Sequence, residues 1–171
     1  YAKILLFGEY GIIEDSQGLT LPYSFYKGAL KFSSLQSDFE KESNESLKKY
    51  ANYLKDLELP DAYTINISAL QKDIRKGLFF DSNIPQGYGV GSSGALVAAI
   101  FERYSIKTYL PEHISKDELK DLKKIFGQME SYFHGKSSGI DPLICYMNLP
   151  ILIENKENEK FYLKIKRYMV D

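Results

Sequence analysis

The sequence predicts an α+β fold, and three observations carry that prediction. Residues 38–57 place Leu47, Tyr50, Ala51, Leu54 and Leu57 at helical spacing among lysines and glutamates, the pattern of a surface helix with one apolar stripe. Residues 3–7 and 29–33 are short apolar runs of strand type, and residues 63–68 alternate apolar with polar as a half-buried strand does. Further on, residues 85–100 read PQGYGVGSSGALVAAI, a loop with glycines at alternate positions (Gly87, Gly89, Gly91) that runs straight into the apolar, helix-forming stretch 95–101.

Taken in order, the first strand is broken by Gly8-Glu9-Tyr10-Gly11, and residues 15–18 are turn chemistry. Residues 19–23, which include Pro22, read as an extended edge piece. Pro60-Asp61 closes the first helical region, and residues 78–80 continue the sheet before Asp81-Ser82-Asn83 turns the chain toward the glycine loop. After the buried helix, Pro111-Glu112-His113 marks a break, and Ser115 with Glu118 forms a capping box that opens a long helix. Its apolar residues Leu119, Leu122, Ile125, Phe126, Met129 and Phe133 gather on one arc. At about 100° per residue, Glu130 lies only ~20° beyond Leu119, at the edge of that arc. Either it is partly buried, or it is a rim glutamate paired with Lys123 or left in water.

Residues 134–142 hold two glycines and two serines, a tight loop, with Asp141 expected where that loop meets a strand at 143–146. His134 reads as a structural residue closing the long helix, and Cys145 as a small buried apolar residue. Residues 151–153 and 161–165, joined by a polar turn, form a β-hairpin.

Composition bounds the class. The 171 residues are 44% hydrophobic and 26% charged with a net charge of -1, which suits one globular domain and carries no basic surplus for nucleic acid. No apolar run has membrane length and no leader is visible in this chain, so a cytoplasmic address follows. One cysteine and two histidines exclude an internal disulfide and a Cys/His zinc site. The start at Tyr1 and the end straight after a strand-like run read as fragment boundaries.

A glycine loop that opens a helix offers free N–H groups and the positive end of a macrodipole, which suits phosphate. A P-loop would need a lysine after its last glycine, where Ser92-Ser93-Gly94 stand. Gly89, Gly91 and Gly94 satisfy G-x-G-x-x-G, but Pro85-Gln86 stands where a dinucleotide fingerprint should follow a first strand. A plain glycine turn with a serine cap is the remaining alternative.

Pro85, Gly89, Val90, Gly91, Ser92, Ser93, Gly94 and Ala95 resemble the signature P-x-x-x-G-L-G-S-S-A-A of the GHMP small-molecule kinases, with Val90 for Leu and Gly94 for the first Ala. Lys3 ahead of Gly8-Glu9-Tyr10 is similar to the family's first signature, with Tyr10 in place of a histidine. His134, Gly135, Ser138, Gly139 and Asp141 are similar to H-G-x-P-S-G-x-D of mevalonate kinases, with Ser137 for Pro and Pro142 after the aspartate.

The resemblance implies the N-terminal domain of such a kinase, like the second domain of ribosomal protein S5: a mixed sheet with helices packed on one side. The C-terminal ferredoxin-like domain and its glycine-rich signature are absent from this chain, so the fragment alone is expected to catalyse poorly or not at all. The resemblance also implies ATP held by Pro85, Gly87, Gly89, Gly91, Ser92, Ser93 and Gly94, and magnesium held by Ser93 and Glu130. It makes Asp141 the base or orienter of the acceptor hydroxyl and Lys3 its partner, with Glu9, Tyr10 and Gly139 on the substrate side.

The implied activity is phosphorylation of the primary hydroxyl of mevalonate. Alternatives are another GHMP kinase acting on phosphomevalonate or a sugar, a non-catalytic ligand sensor on the same fold, and a dinucleotide-binding module. The expected partner is a small molecule, with no nucleic acid or membrane, and a homodimer is compatible with the reading.

Overall fold

The computed structural model describes residues 1–7, 18–111 and 113–153. Glu9, Tyr10, the turn at 15–17 and the second arm of the expected hairpin at 161–165 lie outside the described residues. The elements run β1 (Ala2–Phe7), β2 (Gly18–Tyr23), β3 (Gly28–Phe32), α1 (Asp38–Lys55), a 3-10 turn (Asp61–Tyr63), α2 (Ile67–Arg75), β4 (Leu78–Ser82), α3 (Ser92–Tyr104), α4 (Lys116–His134), α5 (Ile140–Met147) and β5 (Ile151–Ile153). This is an α+β arrangement.

All strand pairings among the described residues are antiparallel, in two small sheets rather than one mixed sheet: β1-β2-β5 and β3-β4. One reason the second sheet stops at two strands is visible at Phe80. Its N–H donates to Ser43 Oγ (2.9 Å) and its carbonyl accepts from the same hydroxyl (3.1 Å), so α1 takes the backbone groups that a third strand would need. β2 is the middle strand of the first sheet, not an edge piece. Pro22 is tolerated because β5 reaches only Gly18 to Thr20, leaving the far end of β2 paired on one side.

The helices hold the core. Ser37 and Ser115 cap α1 and α4 in reciprocal boxes with Glu40 and Glu118. The apolar stripe of α1 (Leu47, Tyr50, Ala51, Leu54) is buried as its spacing requires. Phe101 of α3 sits fully buried amid the rings of Tyr109, Phe126 and Tyr146. Burial of a side chain of that size stabilises by about 1.5–3 kcal/mol.

Neither of two further stretches expected to be strands forms one. In 63–68, Asn66 accepts the Ala69 N–H (2.9 Å) and starts α2, leaving only an isolated bridge between Ile65 and Ser105. The stretch 143–146 lies in α5, whose Leu143, Ile144, Cys145 and Met147 are all buried. A short helix buried on several sides has no polar face, so its sequence reads like a buried strand. Pro142 fits because a first-turn residue needs no N–H partner.

Candidate active site

The glycine loop lies on a small apolar cluster that includes Ala2, Ile84, Ala95, Ala98 and Cys145. β1 fixes it from one side: the Lys3 N–H donates to the Val90 carbonyl (3.0 Å). Gly91, the N-cap of α3, takes a left-handed conformation (φ 80°, ψ 37°), and a Cβ there would fall 2.8 Å from Lys3 Cγ. Only glycine meets both demands. No side chain caps α3, so its first N–H groups remain available to an anion.

A second uncapped helix start lies beside the first. Gly139 opens α5, also in a left-handed conformation, and the loop before it presses on α4 so closely that a Cβ would sit 1.9 Å from the Lys123 carbonyl oxygen. α3 and α5 meet where Gly94 faces Asp141; a Cβ on Gly94 would lie 2.8 Å from the Asp141 carbonyl carbon. This contact holds Asp141, in the first turn of α5, where the Lys3 ammonium reaches its Oδ1 at 3.1 Å. The lysine side chain is only 11% exposed and the aspartate 35%, so it is the aspartate that borders an open space, with the lysine behind it.

That space is a cleft of about 840 Å³. Pro85, Gly87, Gly89, Gly91, Ser92, Ser93 and Asp141 line it, together with His134, Phe39, Phe80 and Phe133. Gly94 and Gly139 do not line it; both are packed into backbone instead.

Glu130 stands behind Ser93, 4% exposed. Its Oε1 accepts the Ser93 hydroxyl (2.9 Å) and its Oε2 accepts the Ser137 hydroxyl. Burial pushes its carboxyl above the ordinary range, against the two serine hydroxyls that favour the ionised form. The rim alternative, with Glu130 in water, is therefore overturned. The Cys145 thiol, pushed up to about 12 by burial, lies 4.0 Å from the Gly91 carbonyl oxygen and packs beneath the loop as an inert apolar group.

Two residues escaped the sequence reading. His134 does end α4, but its Nε2 also lies 3.0 Å from Ser93 Oγ. Ser137, which replaces the proline of the motif, bonds Glu130 and accepts the Gly139 N–H (3.1 Å). The spacing of Glu130 and His134, four residues on one helix, was the available signal for the first, since such residues share a face. Nothing in the sequence signals the second.

Among the described residues no three His, Cys, Asp or Glu side chains cluster as a metal centre. Magnesium asks for less: one or two hard oxygen ligands from protein, the rest from phosphate and water. Ser93 Oγ, on the cleft, fits that demand, and Glu130 Oε1 stands 2.9 Å behind it as the acceptor of the serine proton.

A family model, GHMP kinases N terminal domain, matches residues 47–148. The chain belongs to the GHMP kinases. A search of curated proteins found no significant match. The matched span of this GHMP kinase domain contains the glycine loop, Ser93, Glu130 and Asp141, whereas Lys3 lies outside it. Membership points to a small-molecule phosphotransferase, and GHMP kinases generally use ATP and Mg²⁺. Among the described residues no helix is long and apolar enough to cross a membrane.

Proposed function

We propose that this chain is the ATP-binding, N-terminal domain of a kinase that phosphorylates the primary hydroxyl of mevalonate. In this reading residues 1–171 fold like the second domain of ribosomal protein S5, and a ferredoxin-like domain outside the chain completes the site. The observation that carries the kinase reading is the pairing of Lys3 at 3.1 Å with Asp141, which lines the same cleft as the glycine loop and Ser93. The choice of mevalonate rests on the resemblance of residues 134–141 to the mevalonate kinase motif.

The backbone N–H groups from Gly87 to Ser93 would bind the nucleotide's phosphates, which the positive end of α3 favours. Ser93 Oγ would hold Mg²⁺, with Glu130 behind it supporting the hydroxyl, and the ion when bound would offset the charge of the phosphates. Lys3 occupies Asp141 Oδ1, leaving Oδ2 to accept the acceptor hydroxyl's proton or to orient that hydroxyl. The ammonium of Lys3 then lies near charge that develops during transfer.

The test is turnover by the full-length protein with MgATP, offering mevalonate, phosphomevalonate and galactose separately, beside Asp141→Asn. The expected result is turnover with mevalonate alone and a loss of about 10²–10⁴-fold in the variant with nucleotide binding retained. Turnover with another acceptor replaces the substrate. Nucleotide binding without any turnover replaces the enzyme with a sensor.

A further inference from the structure

Ser93 Oγ carries one hydrogen and two lone pairs. The Glu130 carboxylate, 2.9 Å away, can only accept, so it takes the hydrogen. The His134 Nε2 at 3.0 Å must then be the donor, which requires a proton on Nε2 and uses one lone pair of the serine oxygen. One lone pair is left. Ser93 and His134 both line the cleft while Glu130 is buried behind them, so the remaining lone pair belongs to the cleft side. Glu130 and His134 are one turn apart at the end of α4, and together they grip a single oxygen on α3. The arrangement is not that of a serine nucleophile with its base: the serine proton is committed to the carboxylate, and His134 Nδ1 has no orienting partner among the described residues.

We infer that His134 is a positioning residue for Ser93, fixing the hydroxyl so that its one free lone pair is presented to a divalent cation. The inference rests on the proposed role of Ser93 as a magnesium ligand. Groups that orient a metal ligand typically contribute 10–100-fold to metal affinity. His134 also lies at an exposed helix end, so replacing it leaves the core intact.

The test measures ADP binding to the full-length protein by calorimetry, once in EDTA and once in saturating Mg²⁺, and takes the ratio of the two dissociation constants within each variant. Taking the ratio cancels any general loss of folded protein. For His134→Leu the ratio is expected to fall about 10–100-fold with the EDTA value unchanged. His134→Gln, which keeps an N–H donor, is expected to recover most of it.

Ser93→Ala separates the two layers of the inference. If its ratio stays at the parent value, Ser93 is not a metal ligand, and both readings fall. If Ser93→Ala loses the ratio while His134→Leu keeps it, the metal-ligand reading stands and the role of His134 is overturned. A His134→Leu variant that weakens ADP equally in EDTA and in Mg²⁺ also overturns it.

Discussion

Restoring the family's alanine at Gly94 is expected to harm this protein. Gly94 has ordinary helical surroundings in α3, and alanine there would gain up to about 1 kcal/mol of helix propensity. Space decides against it. The new Cβ would lie 2.8 Å from the Asp141 carbonyl carbon, 2.9 Å from Pro142 N and 3.1 Å from Asp141 Cβ, against an ordinary contact that begins at 3.4 Å. Two of these atoms are backbone, so no side-chain rotation relieves the clash, and α3 and α5 must part by roughly 0.6 Å. Overpacking of this kind costs about 1–3 kcal/mol, which outweighs the propensity gain and leaves a net loss of about 0–2 kcal/mol. The sharper effect falls on Asp141, which moves with α5. A misplacement of about 1 Å can cost 10²-fold in rate, so a loss of about tenfold in kcat is expected from the smaller shift. Urea denaturation and steady-state kinetics of Gly94→Ala test this together. A variant as stable as the parent, with unchanged kcat, would refute the claim that the contact between α3 and α5 positions the aspartate.

Acid should release the cap of α4. The Lys107 ammonium (2.8 Å) and the Ser115 N–H and hydroxyl hold Glu118 at about 2, below its ordinary 4.5. The unfolded chain protonates near 4.5 and the folded one near 2, so this stabilisation is complete above 4.5 and lost as the pH falls toward 2. In thermal melts the advantage over Glu118→Gln should therefore hold from pH 7 to about 5 and close between about 4.5 and 2; a gap independent of pH would contradict it. Phe126→Ala empties a fully buried position in the aromatic core and is expected to cost about 3–5 kcal/mol in urea denaturation, where a loss under 1 kcal/mol would mean that Phe101 and Tyr146 do not depend on it. Chelation by EDTA is expected to abolish turnover and excess Mg²⁺ to restore it, and activity that survives chelation would remove Ser93 and Glu130 from the proposed mechanism.

Helices α1 and α4 were legible because each shows water one side. The stripe of α1 and the edge position that buries Glu130 follow from a period of 3.6 residues set against solvent, and the Ser115 box marked the start of α4, whereas the matching box at Ser37 appears only in the structure. α5 defeated the same reasoning because it shows water almost nothing. The stretch 63–68 defeated it for a different reason: its alternation is real, but Asn66 can cap a helix, and that local hydrogen bond prevails over a pattern only a few residues long. At the site, the glycines announced a loop that opens a helix, and the Lys3–Asp141 pair followed the resemblance. Ser137 could not be foreseen. Its contact with Glu130 exists only because the loop before α5 folds back across α4, a tertiary fact with no local trace.

Lys3 enters the site by its backbone and by its side chain at once, holding Val90 of the glycine loop with its N–H and Asp141 with its ammonium. The span that identifies the family begins at residue 47, and this anchor lies upstream of it. The stretch by which the family is recognised and the stretch that must stay together are thus different lengths of chain. A piece trimmed to the recognisable span would retain the glycines, Ser93, Glu130 and Asp141, yet lose the strand that holds the loop against α5. Anyone who transplants this glycine loop into another scaffold must carry β1 along as its splint.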